Sequence, residues 1–227
     1  MAVSLIALTL SWEAARGASG AVPRRQMQES IFYRVRTSQR AVALTFDDGP
    51  IPGHTERILT LLRTEGMHAT FFVVGKRAFA RPDLVRAITA GGNEIGNHTW
   101  SHQHLTWVLD DVQRDEIARG ARELEQFGVH PIWFRPPYGL ISRLGVKDVT
   151  AAGERTVLWS VSIDRALSRW GDRAVSELLS RVRPGDIILA HDARPGSFDA
   201  LQRLLAGLRR KGLLCGTVSE LVAGSRV

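Results

Sequence analysis

The feature that most limits what this chain can fold into is a regular alternation. Short apolar runs, rich in β-branched and aromatic residues, recur at 41–46, 69–74, 93–97, 131–134, 155–163, 186–190 and 213–217. Between them lie segments with helical periodicity at 54–66, 82–90, 109–127, 142–152, 172–182 and 197–211, and a closing helical turn at 219–223. Proline opens the segment from Pro82, and glycines follow several of the others, as at Gly66 and Gly128. Strand-helix alternation of this kind predicts an α/β fold, a parallel sheet with crossover helices. About seven such units point to a barrel, or a near-barrel short of the usual eight strands.

A chain of 227 residues with 44% hydrophobic content suits a single domain with a sizeable core. The domain is expected over residues 40–222, with residues 223–227 as a tail. Residues 1–39 form an apolar, signal-like segment and a linker. Ala2 to Trp12 is apolar and Ala14 to Ala21 is small and polar, like the hydrophobic region and cleavage zone of an export signal, although a positive start is missing. Export to the periplasm, cell wall or medium is the expectation, with a cytoplasmic location as the alternative. The apolar run is too short for a comfortable membrane span, so no transmembrane helix is expected. The net charge of +7 comes from scattered residues, nearly all arginine, without an arginine run interleaved with aromatics. Nucleic acid is therefore not an expected partner. The one cysteine, Cys215, sits in an apolar run and reads as a buried structural thiol.

Residues able to do chemistry collect at the carboxyl ends of the predicted strands, which converge on one mouth in a closed barrel. Asp47 and Asp48 follow the first strand and precede Gly49-Pro50. His98 and His102 follow the third. Arg135 and Tyr138 follow the fourth, Ser162 and Asp164 end the fifth, and His191 and Asp192 follow the sixth. Alone, Asp-Asp-Gly-Pro is only a polar turn. Convergence with the other groups makes it a candidate site.

His98-Thr99-Trp100-Ser101-His102 places two imidazoles on one side if the segment turns helically. Two imidazoles and one carboxylate are three ligands that leave a position open for water, the pattern of a catalytic zinc, though other divalent transition metals accept the same donors. His104 is read as a supporting or surface residue. The prolines of Arg135-Pro136-Pro137-Tyr138-Gly139 stiffen a loop that can aim a guanidinium or a backbone N–H. His191, at the end of Ile187-Ile188-Leu189-Ala190, is either a core histidine or a general acid titrating near neutrality.

Taken together, Thr-Phe-Asp-Asp-Gly-Pro, His-Thr-x-x-His, Arg-x-Pro-Tyr-Gly and Leu-x-His resemble, in this order and spacing, the polysaccharide deacetylases with a NodB homology domain, carbohydrate esterase family four. The resemblance covers roughly residues 40–222. It implies a distorted seven-stranded (β/α) barrel and a metal-dependent hydrolase. That enzyme would remove N-acetyl groups from an N-acetylglucosamine-containing glycan, either a chitin oligomer or peptidoglycan. By position, it implies Asp47 as general base and Asp48, His98 and His102 as ligands of a divalent cation, zinc first, with cobalt or another transition metal possible. It further implies His191 as general acid, Arg135 as the residue that orients the base, the Tyr138 N–H as an oxyanion donor and Leu189 as a wall for the acetyl methyl. Pro137 and Trp159 are placed with Leu189 as substrate-binding candidates.

The fourth family motif is altered here. Trp159-Ser160-Val161 is followed by Ser162, with Asp164 two residues on. The expectation is that Asp164 replaces the family's aspartate as the partner of Arg135, with Ser162 as the other candidate. Trp100, Trp107, Trp133, Trp159 and Trp170 are candidates for sugar stacking, against the alternative that buried tryptophans are core. A monomer is expected. The alternative functions are a catalytically weak or inactive metal-containing glycan-binding protein, and a polysaccharide O-acetyl esterase.

Overall fold

A computed structural model describes residues 31–191, 193, 194 and 196–225. The signal-like segment, Asp192 and the last two residues of the tail lie outside the described residues. One sheet holds the strands β1 (Ala41–Gly49), β2 (Thr70–Val73), β3 (Glu94–Asn97), β4 (Trp133–Phe134), β5 (Arg155–Thr156), β6 (Val161–Ser162), β7 (Ile187–His191) and β8 (Leu214–Gly216). The helices are α1 (Thr55–Glu65), α2 (Gly75–Ala80), α3 (Pro82–Ala90), α4 (Asp110–Glu125), α5 (Arg143–Ala151), α6 (Ile163–Trp170), α7 (Ala174–Arg181), α8 (Ser197–Arg210) and α9 (Val218–Ala223). Pairing is parallel throughout the sheet.

The strand order is β5-β4-β3-β2-β1-β7-β6, with β8 also on β1. The two ends of this order, β5 and β6, are neighbours in the chain. One extended segment therefore borders both edges and draws the sheet into a (β/α) barrel. The sequence reads that segment as one strand over 155–163. The structure divides it, because its first half pairs with β4 and its second with β7. Ile163 then starts a helix, N-capped by the Ser162 hydroxyl, which accepts from the Arg165 N–H.

Period-two alternation along β1 separates two cores. Val42, Leu44 and Phe46 join Ile58, Leu62, Phe71, Ile188 and Leu204 in the large core between sheet and helices. Ala41 and Ala43 face inward with Phe72, Trp133, Val157 and Ile187. Val218 and Leu221 of α9 join this inner core, so α9 plugs the barrel. Its start is fixed by a capping box between Thr217 and Glu220. The buried Glu94 carboxylate accepts from Thr70 and from Ser219, whose hydroxyl also accepts the Trp133 indole N–H. Cys215 is buried in β8, and burial pushes its thiol up to about 12, which suits a packing role.

Part of the segment read as a linker is packed structure. Phe32 and Val35 join the inner core. Arg34 pairs with the buried Asp186 at 2.5 Å, and the Val35 N–H donates to the Gly185 carbonyl at 2.9 Å. Gly185 turns the chain into β7 at φ +85°, and a Cβ there would lie 1.9 Å from the Val35 oxygen. Gly185→Ala is therefore expected to cost about 1–3 kcal/mol of stability, read from the urea midpoint. An unchanged midpoint would mean that the 32–35 segment does not hold the barrel.

Candidate active site

The site grows from β1. Thr45 and Asp47 continue the inward-facing row of Ala41 and Ala43. By simple alternation Asp48 would point outward to the helices. A bulge changes this: the register with β2 shifts between Asp47 and Gly49, and Asp48 sits at φ +72°. Aspartate tolerates that conformation, and a bulge re-aims a side chain. Both carboxylates thus reach one mouth from adjacent positions.

Asp47 is 4% exposed and is held by Arg135, which is fully buried. The Arg135 Nη1 donates to Asp47 Oδ1 at 2.8 Å and to the Thr45 hydroxyl at 2.7 Å. Its other donors reach the Val157 and Leu158 carbonyls, and its guanidinium lies 4.1 Å from the Phe72 ring centre. Burial pulls the Arg135 pKa down, and the Asp47 charge and hydrogen bond oppose this.

Asp48 lies between the two histidines. Its Oδ1 is 2.9 Å from His102 Nε2 and 3.5 Å from His98 Nε2. The donor atoms of Asp48, His98 and His102 all lie within 4.8 Å of one another. His98 Nδ1 is 2.6 Å from the Arg135 carbonyl, which can only accept. The Nδ1 proton is thereby fixed on that carbonyl, and the ring turns its Nε2 toward Asp48. Asp48 Oδ1 is buried without a hydrogen-bond donor. A carboxylate oxygen facing the Nε2 atoms of two imidazoles fits a divalent cation among the three.

The two histidines do not converge through a helix, as their spacing suggests. Residues 98–102 form a loop with Thr99 at φ +67° and His102 at φ +63°. The loop is tied from behind. The Asn97 Oδ1 accepts from Thr99 N–H at 2.9 Å, and its amide donates to the Ile117 carbonyl and the buried Glu154. Burial holds the Glu154 carboxyl well above the usual range. Glu116, on α4, accepts from the Ser101 N–H at 2.8 Å and the Ser101 hydroxyl at 2.6 Å. Thr45 could have been read as the inward neighbour of Asp47 two residues away. Glu116 and Glu154 carry no such signal, because their role depends on tertiary neighbours.

His191 is the β7 residue paired with Asp47, as Leu189 is with Thr45, so both face the interior. The His191 Nδ1 is 2.5 Å from Asp164 Oδ2. Burial lowers the His191 pKa, but the Asp164 hydrogen bond and the nearby Asp47 and Asp48 charges outweigh it, and the net shift is upward. This corrects the expected pairing of Asp164 with Arg135. The turn into α6 carries Asp164 to β7, while Ser162 caps that helix. Neither residue bonds Arg135, whose partners are Asp47, Thr45 and two carbonyls.

Tyr138 sits at φ +62° and is 61% exposed, with its ring edge-on to His102 at 5.1 Å. Pro137 is buried in the same turn. Trp159 packs on the turn's backbone at Gly139, and its ring centre is 5.6 Å from the Arg135 guanidinium. Asp48, His191, Ile51, Arg77, Ala193 and Arg194 line an open cavity at the mouth.

Residues 34–157 match the family model described as polysaccharide deacetylase. The chain belongs to the polysaccharide deacetylase family. It is similar to a peptidoglycan-N-acetylglucosamine deacetylase of Bacillus cereus, with 36% identity over 199 residues, 85% of this chain and 92% of that one. A chitooligosaccharide deacetylase of Bradyrhizobium sp. is 35% identical over 76% of this chain and 86% of its own. Among solved structures, a peptidoglycan N-acetylglucosamine deacetylase superposes with a TM-score of 0.79 at 32% identity, covering 86% of this chain and 95% of that chain. A mutant of a carbohydrate esterase family four pseudoenzyme with restored activity superposes at 0.81, with 26% identity over 89% and 75% of the two chains.

For this deacetylase-family chain, the ties behind the histidine loop make a direct expectation. Glu116→Ala should weaken divalent metal binding by about 10–100-fold, measured by competition with a chromophoric chelator. Unchanged affinity would mean that the loop holds its shape without Glu116.

Proposed function

We propose that this chain is a metal-dependent hydrolase that removes N-acetyl groups from an N-acetylglucosamine-containing glycan, either peptidoglycan or a chitin oligomer. The observation that carries the reading is the division of labour at the bulge. Asp48 turns to two imidazoles while Asp47, its neighbour, remains on Arg135 and faces His191. The curated relatives named above as deacetylases of these two glycans supply the substrate class. A glycan in the cell wall also favours export of the chain. Among the described residues no helix is long and apolar enough to cross a membrane.

Asp48, His98 and His102 would hold the cation, with zinc first among the metals that favour two imidazoles and a carboxylate. When bound, it would supply charge stabilisation at the substrate carbonyl oxygen and make water a better nucleophile. The protein's own groups do the rest. Asp47 takes a proton from the attacking water, and its hydrogen bond to Arg135 keeps one oxygen occupied so that the other is presented. The Tyr138 N–H, set by the positive φ of its residue, stabilises the tetrahedral oxyanion. His191 delivers a proton to the departing amine nitrogen. An amine leaves only when protonated, so an N-acetyl substrate makes full use of a histidine acid. Asp164 holds the His191 Nδ1 proton and leaves Nε2 to face the substrate. Leu189 and Pro137 bound the space for the acetyl methyl.

Acetate release from peptidoglycan and chitin oligomers tests this. Asp47→Asn and His191→Ala should each lower kcat by roughly 10²–10⁴-fold, His191→Ala with little change in thermal stability and Asp47→Asn with a lower one, because it leaves the buried Arg135 without its counter-charge. Full activity in either variant would remove that residue from the mechanism.

Asp164 makes a separate expectation about pH. A raised His191 pKa keeps the acid form present above the ordinary titration range of histidine, and the alkaline limb of kcat follows its deprotonation. Asp164→Asn removes the largest raising interaction, so the limb should move to lower pH. A limb that stays in place, or moves to higher pH, would show that Asp164 does not tune His191.

A further inference from the structure

The five tryptophans read from the sequence as possible sugar platforms have very different surroundings. Trp133 is 1% exposed and donates its indole N–H to Ser219. Trp159 lies against Gly139 and Arg135. Trp100 is half-buried, with the Arg119 guanidinium 3.9 Å from its ring centre. Trp170 packs against the outer core beside Arg181. Trp107 is 80% exposed.

Trp107 is exposed but anchored. One face of the indole is parallel to the His104 ring, with centres 3.7 Å apart and planes 5° apart. Among the described residues, no other ring or guanidinium stacks on the indole. His104 in turn faces Tyr138 at 5.0 Å and 20°, and Tyr138 stands edge-on to the candidate ligand His102. The ring contacts thus run without a break from the metal-ligand candidates to the rim. Leu109 and Leu140, two residues along the chain from Trp107 and Tyr138, are 75% and 49% exposed.

An exposed indole contributes little to folding, and an apolar rim beside a reaction centre marks a contact surface. The continuity of the rings with the site selects the occupant. A pyranose ring has a face of C–H bonds and an equatorial rim of hydroxyls, so it can lie flat on an aromatic ring and keep its rim in water. We propose that Trp107, braced by His104, is a stacking subsite for a sugar unit of the glycan beyond the unit being deacetylated, and that it sets a preference for longer chains. The proposal rests on the deacetylase reading, with a substrate that is a chain of sugars.

The test uses the metal-loaded full chain and N-acetylglucosamine oligomers from the dimer upward. In Trp107→Ala, KM should rise about 2- to 10-fold for long oligomers, with kcat and the dimer's kcat/KM unchanged. Trp107→Phe, which keeps a ring, should restore most of the loss. Trp107→Gln serves as a second truncation if the alanine variant misfolds. Equal losses on the dimer and the long oligomers, or no loss at any length, would overturn the proposal. A binding arm, titrating long oligomers into wild-type and variant protein by calorimetry, separates the two readings. Binding by the wild type without acetate release would sink the deacetylase reading, and the subsite would then be judged on the affinity ratio alone.

Discussion

The buried ion pair between Arg135 and Asp47 is the interaction on which the rest of the structure depends. Two charges inside a barrel cost several kcal/mol each in desolvation unless every donor and lone pair is matched. The protein matches them with backbone. Thr45, one inward position below Asp47, accepts from the guanidinium, and the Val157 and Leu158 carbonyls accept from the other side. Those two carbonyls lie in the interval between β5 and β6, where the border segment leaves β4 and goes over to β7. The division of that strand and the solvation of the guanidinium are therefore one feature. The Arg135 carbonyl also fixes the His98 ring, so the same residue organises the proposed base and one candidate metal ligand.

Around this pair the local backbone is unusual at the positions that present chemistry. Asp48, Thr99, His102 and Tyr138 are the non-glycine residues at positive φ among the described residues, and all lie at the mouth. Such conformations cost of order 1–3 kcal/mol each for ordinary side chains and persist where the surroundings over-determine them. Here the surroundings are explicit. Asn97 and Glu116 hold the histidine loop, and Pro136 and Pro137 hold the turn at Tyr138. Rigid strands set the inward row Thr45, Asp47, Leu189 and His191, while the strained connections set the rest.

The alternation of apolar runs and helical segments was enough to read the fold, because the central strands β1, β2 and β7 are almost wholly buried on both faces and helices cover one of them. What the sequence did not show was where one segment serves two neighbours. Residues 155–163 have continuous strand character, and their division follows from closure, a property of the whole sheet. The site residues were legible because they sit at strand ends. Their partners were less so. Asp164 was paired with the wrong cation because spacing along a strand says nothing once Ile163 starts a helix. Glu116 and Glu154 are ordinary helix and turn residues until the fold brings them behind the His98–His102 loop.

Asp48, His98 and His102 are proposed to form a cation site on which hydrolysis of an N-acetyl group depends. The most direct measurement is acetate release from N-acetylglucosamine oligomers and peptidoglycan by the full chain, before chelation, after it, and after divalent metal is restored. The expected result is release that stops on chelation and returns with one metal ion per chain. Release that persists in the fully chelated protein would contradict the claim, as would metal binding that survives replacement of both His98 and His102 by alanine.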